Sequence, residues 1–161
     1  VELTTVHLVR DPRAVAYAWQ KVKVYNPDGG DDPMMMTRHP PRRSALLWNK
    51  WNLAAELMGR RHDRYLRLRY EDFTADPPGT VRRILALMGE GGTPIPFEDS
   101  HTVRLGTNHS LAGNPSRFRT GAVAIRSDDT WQQALAGRSK VLVTALTWPL
   151  LLRYGYPLRS P

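Results

Sequence analysis

The feature that most limits what this chain can fold into is the junction "VHLVRDPRAVAYAWQ", residues 6–20. Val6, Leu8 and Val9 form an apolar run that stops at Arg10, the pattern of a buried strand. Asp11 is a good N-cap, and Pro12 falls at the first helical position, where its missing N–H does no harm. A strand that passes this abruptly into a helix leaves backbone N–H groups free beside Arg10 and Arg13. Such a turn suits an anion.

Beyond the turn, Val15, Trp19 and Val22 recur at helical spacing and predict a helix to about Val24. The stretch 25–41, "YNPDGGDDPMMMTRHPP", carries no period. Loops of this length are lids, binding loops or disordered segments, so Met34, Met35 and Met36 either cover an acceptor or lie on a surface loop. A second helix is expected over 42–59, with Leu47, Trp51, Ala54 and Met58 on its apolar side. "RYLRLRY" (64–70) alternates as a strand, with Leu66, Leu68 and Tyr70 on one face. "EDFTADPPGTVRRILALMGE" (71–90) gives a third helix with Val81, Ile84, Leu85 and Met88 in a stripe, closed by Glu90-Gly91-Gly92.

Strand, helix, helix, strand, helix is the rhythm of an α/β fold with a parallel sheet flanked by helices. The rest is less regular: a short strand at 102–105, a long basic loop, and a short helix with Trp131 and Leu135 capped by Ser127-Asp128-Asp129. A last helix over about 138–152 is expected to bury Val141, Leu142, Ala145 and Trp148.

A chain of 161 residues with 41% apolar content fits a single domain spanning 1–161. Its net charge of +8 is carried mainly by Arg, the side chain suited to a bidentate grip on phosphate or sulfate. With no Cys there is no disulfide, no Cys-based zinc site and no thiol nucleophile. Lack of Cys and of a recognisable signal peptide leans towards the cytoplasm, and no apolar run reaches the roughly 18 residues of a membrane span. The five histidines, His7, His39, His62, His101 and His109, share no metal-binding spacing, and His7, inside the first strand, reads as structural. No Walker-type, dinucleotide-binding, nucleophile-elbow or zincin motif is present.

Ligands of parallel sheets gather at the C-terminal ends of strands, here Arg10-Asp11-Pro12-Arg13 and Tyr70-Glu71-Asp72. The loop from Gly113 to Gly121 adds Asn114, Arg117 and Arg119, a set able to wrap an anionic group. Glu71 and Asp72 read mainly as a cap between strand and helix, and Phe118 as core.

At these residues the chain resembles a family. "VHLVRDPRAVAYAW" is similar to the 3′-phosphate-binding strand and helix of sulfotransferases that use 3′-phosphoadenosine 5′-phosphosulfate, and "RLRYEDFTADPPGTVRRILALMG" resembles the Tyr-Glu-Asp segment that follows. "NHSLAGNPSRFRTGAVAIRSDDTW" and "LTWPLLLRYGYPL" are similar to the C-terminal region of carbohydrate-type and bacterial members. The resemblance implies a P-loop-NTPase-like sulfotransferase fold and transfer of a sulfuryl group to an acceptor hydroxyl or amine. It implies Arg10 on the 3′-phosphate and Tyr70 near the adenine. Arg117, Arg119 and Gly121 would belong to a loop closing over the phosphate, its turn shaped by Asn114. No metal is implied, and the expected partners are a small-molecule or glycan acceptor rather than nucleic acid.

Two departures stand out. The family's hydroxyl partner for the phosphate, a Ser eight residues after the Arg, is here Ala18. Losing a hydrogen bond to a charged group costs about 1.5–3 kcal/mol. The N-terminal strand and Gly-rich loop for the 5′-phosphosulfate have no counterpart, and the family's base comes from upstream of Arg10. The chain is therefore expected to be the C-terminal part of a larger sulfotransferase domain, with no catalytic residue assigned and with His109 a loop-building residue. The alternatives weighed are a non-catalytic remnant that binds adenosine 3′,5′-bisphosphate or a partner, and a basic nucleic-acid binder, disfavoured for want of a motif.

Overall fold

A computed structural model describes residues 3–24, 35–61, 63–107 and 119–159. Strand β1 (Thr5–Val9) runs into helix α1 (Pro12–Ala18), and α2 (Pro41–Gly59) leads back to β2 (Tyr65–Arg69). Strands β1 and β2 pair in parallel, with Thr5 opposite Tyr65 and Val9 opposite Arg69. Helices α3 (Tyr70–Ala75) and α4 (Pro77–Met88) follow, then an antiparallel pair β3 (Thr102–Leu105) and β4 (Gly121–Ala124). Helices α5 (Trp131–Ala134) and α6 (Gly137–Arg153) complete the order. The molecule is a mixed α/β structure with a small parallel sheet and helices, as expected; β4 was not anticipated.

The core lies on one face of β1. Val9 packs with Trp48 of α2, Leu150 and Leu151 of α6, and Tyr154 and Tyr156 just beyond it. Ala16, Ala45 and Val143 bring α1, α2 and α6 together, and Ala14 meets Trp131 and Leu135. The first strand buries alternate positions, so His7 and Val9 point inward while Val6 and Leu8 are exposed, contrary to the expectation of a continuous buried run. His7 is buried because its ring is fully bonded, to the Tyr65 hydroxyl at 2.6 Å and Asn52 Oδ1 at 2.7 Å.

The apolar faces read for α2 and α6 are not the ones the fold buries. Trp51 is 62% exposed and Val141 70%; Met58, Leu142, Ala145 and Trp148 are exposed as well. The buried positions of α2 are Ser44, Ala45, Trp48, Asn52, Glu56 and Gly59. Polar groups can occupy this face because several find partners. Asn52 Nδ2 donates to the Trp48 carbonyl, and Glu56 accepts from Arg153 Nε at 2.9 and 3.1 Å. Burial pushes the Glu56 carboxyl up, but the Arg153 bonds, Tyr154 and the charges of Arg153 and Arg67 bring it below its usual value. In α6, Thr147 is buried because its hydroxyl donates back to the Val143 carbonyl at 2.8 Å.

Helix ends differ too. Helix α1 stops at Ala18 rather than near Val24, because the His39 N–H and Arg38 Nε take the Trp19 and Gln20 carbonyls. The segment 71–90 is two helices: Pro77 and Pro78 cannot continue α3, and the Asp76 carboxylate instead accepts from the Gly79 N–H to start α4. Gly89, at φ +81°, closes α4 ahead of the expected Glu90-Gly91-Gly92.

Candidate anion-binding site

The turn after β1 is built as its residues dictate, with Asp11 as N-cap accepting from the Arg13 N–H at 2.8 Å and Pro12 opening α1. The anion at this helix end is supplied from within. Asp11 Oδ2 pairs with Arg13 Nη2 at 2.7 Å, and Arg13, 1% exposed, also donates to the carbonyls of Pro157 and Leu158. Glu71 Oε1 accepts from the Asp11 N–H at 3.2 Å, while Glu71 Oε2 takes the Tyr156 hydroxyl at 2.6 Å. Burial, then this hydrogen bond, pushes the Tyr156 hydroxyl well above its usual range, so it stays a donor. Glu71 thus ties β1, β2 and the C-terminal segment together and does not cap its own helix, whose N-cap residue, Arg69, makes no side-chain capping bond. Arg13 is a structural cation. The expectation of an open anion position beside it is overturned.

Arg10 is different. Its backbone is fixed by Trp48 Nε1, which donates to the Arg10 carbonyl at 3.0 Å. Its guanidinium leaves the core, 23% exposed, and stacks 4.5 Å from the centre of the Tyr70 ring. The two residues named from separate strand ends are therefore neighbours at the C-terminal edge of the parallel pair. Arg10 Nη2 donates to the Asp128 carbonyl at 3.0 Å and lies 3.5 Å from Asp128 Oδ2. Lys21 Nζ approaches the same Oδ2 at 3.7 Å and rests over the Tyr17 ring at 4.4 Å. The Tyr70 hydroxyl donates to the Arg126 carbonyl at 3.4 Å.

Ala18 ends α1 beside a cavity of about 210 Å³, lined also by Trp19, Lys21, Lys23, Met36 and Thr37. Met36 reaches it because Val24 and Met35 bridge and the Met36 N–H donates to the Lys23 carbonyl, closing the base of the loop. Arg119 is exposed on a second cavity, of about 420 Å³, with Arg126. Gly121 opens β4 at φ +78°, a left-handed conformation that favours glycine. Asn114, Arg117, Phe118, His109, His62 and Met34 lie outside the described residues.

Lys21, Asp128 and Arg126 were not picked out as site residues. Asp128 is 118 positions from Arg10, and no local pattern announces the pairing. The expected cap of α5 by Ser127-Asp128-Asp129 is replaced. Thr130 is the N-cap residue but its side chain does not cap the helix: its hydroxyl donates to Asp128 Oδ1, and the Ser127 hydroxyl donates to Asp129. Among the described residues no group of His, Asp or Glu is placed to hold a metal, and no helix is long and apolar enough to cross a membrane.

No curated protein and no solved structure matches the chain. A family model does, over residues 3–93, more than half of the chain. That span contains β1, the Arg10 turn, β2 and Tyr70; Arg119 and Gly121 lie beyond it. The chain belongs to the sulfotransferase family.

Proposed function

We propose that the protein takes part in sulfuryl transfer from 3′-phosphoadenosine 5′-phosphosulfate to a hydroxyl or amine acceptor, a small molecule or glycan. In this reading the described residues supply the 3′-phosphate and adenine half of the donor site. The observation that carries it is the stack of Arg10 on Tyr70 at the C-terminal edge of β1 and β2, with a carboxylate already drawn to the part-exposed cation. An Arg so placed fits a phosphate, because its donors reach past the ring it rests on. In the same reading the parallel pair is part of a P-loop-NTPase-like sulfotransferase sheet.

The donor, when bound, supplies the sulfuryl group and leaves as adenosine 3′,5′-bisphosphate. Arg10 holds its 3′-phosphate, and the Tyr70 ring flanks the adenine. Arg119, together with Arg117, Asn114 and Gly121, closes over the phosphate from the C-terminal side. These groups orient the nucleotide and neutralise its charge. A nucleotide held this way is read at its 3′-phosphate. Calorimetric titration of the full chain is expected to show adenosine 3′,5′-bisphosphate binding at least about tenfold more tightly than adenosine 5′-monophosphate. Equal affinities overturn the reading.

A further inference from the structure

We propose that Lys21 is a second cation of the Arg10 phosphate position and that Asp128 is an internal carboxylate which the bound phosphate displaces. The inference rests on the donor-site reading above and adds a ligand and a competitor to it. Two cations from opposite ends of α1 converge on one oxygen, Asp128 Oδ2, at 3.5 Å from Arg10 and 3.7 Å from Lys21. Both distances exceed the roughly 2.7–2.9 Å of a charge-assisted hydrogen bond, so the carboxylate attracts both cations without saturating either. Its other oxygen is occupied by the Thr130 hydroxyl.

The pair is also exposed, with side chains 36% and 40% accessible for Lys21 and Asp128, and ion pairs of that kind hold weakly. A phosphate dianion brings more charge and more acceptor oxygens to the same two cations. Lys21 also lines the cavity beside Ala18, which Arg10 and Asp128 do not line. Ala18 offers no donor there, whereas Lys21, one helical turn further on, lines the same space and brings a full charge. Asp128 is a genuine competitor because it stays ionised. The Thr130 hydroxyl, against burial, and then the charges of Lys21 and Arg10 hold its carboxyl below the usual range. Asp128 sits in the stretch 125–130 between β4 and α5, so its release frees that connection to rearrange around a ligand.

Calorimetric titration of the full chain with adenosine 3′,5′-bisphosphate tests this, with circular dichroism confirming that each variant is folded. Lys21→Met is expected to weaken binding at least fivefold and to flatten its salt dependence, and Lys21→Arg to restore both. Asp128→Asn is expected to tighten binding at least threefold. Either Lys21→Met or Asp128→Asn within twofold of the wild type overturns the proposal. If Arg10→Ala still weakens binding in that case, the donor-site reading survives without it. Undiminished binding by Arg10→Ala, or no binding by the wild type and Asp128→Asn at millimolar nucleotide, overturns both.

Discussion

Asp11 and Arg13, two residues apart, form a buried ion pair in which both carboxylate oxygens accept from the guanidinium, at 3.0 and 2.7 Å. The same guanidinium reaches the Pro157 and Leu158 carbonyls, so the strand-to-helix turn and the C-terminal segment are fastened at one point. Removing one partner leaves an uncompensated charge in the core. Arg13→Met is therefore expected to cost about 3–5 kcal/mol of stability in denaturant titration. The double variant with Asp11→Asn should lose less than the sum of the two single losses. A loss below about 1 kcal/mol for Arg13→Met contradicts the assignment of Arg13 as structural.

His7 gives the fold a dependence on pH. Burial lowers its pKa from 6.5, against the raising effects of the Asn52 hydrogen bond and Glu56, with Arg67 lowering it further. Asn52 Nδ2 donates to the Trp48 carbonyl, so Asn52 Oδ1 accepts from His7 Nε2–H and Nδ1 accepts from the Tyr65 hydroxyl. The folded state therefore favours the neutral ring. The unfolded chain takes up this proton first as pH falls below 6.5, so stability drops from there and levels off below the folded pKa. Unfolding free energies at pH 7.5 and 5.5 should differ in the wild type and differ less in His7→Gln. An equal difference in both removes His7 from the account.

How much of this was legible depended on whether the signal was local. The β1–α1 turn was read correctly down to its cap and first proline, because Asp11 and Pro12 act on their own neighbours. Arg10 and Tyr70 were both named because each ends a parallel strand, and register brings them together. The faces of α2 and α6 were misread because hydropathy cannot see that Asn52, Glu56 and Thr147 find partners when buried. The double carboxylate tie of Glu71 was invisible for a similar reason: one of its partners, Tyr156, is 85 positions away. Arg10 and Arg13 look alike in sequence, yet only the fold shows that one is consumed by Asp11 and the other reaches the surface.

Ala18 offers a gain-of-function check. It ends α1 beside a cavity that Lys21 also lines, and the family resemblance sets a phosphate-binding hydroxyl at this position. Ala18→Ser is expected to tighten adenosine 3′,5′-bisphosphate binding by roughly tenfold, the value of one hydrogen bond to a charged group. Affinity unchanged within twofold places residue 18 away from the phosphate.

Arg10 is proposed to read the 3′-phosphate of a sulfuryl donor, and calorimetry on Arg10→Ala decides between this role and a structural one. The Arg10 side chain is part-exposed and outside the core clusters, so the variant is expected to fold. Binding of adenosine 3′,5′-bisphosphate should fall at least about tenfold while that of adenosine 5′-monophosphate stays unchanged. Adenosine 3′,5′-bisphosphate binding equal to that of the wild type contradicts the claim.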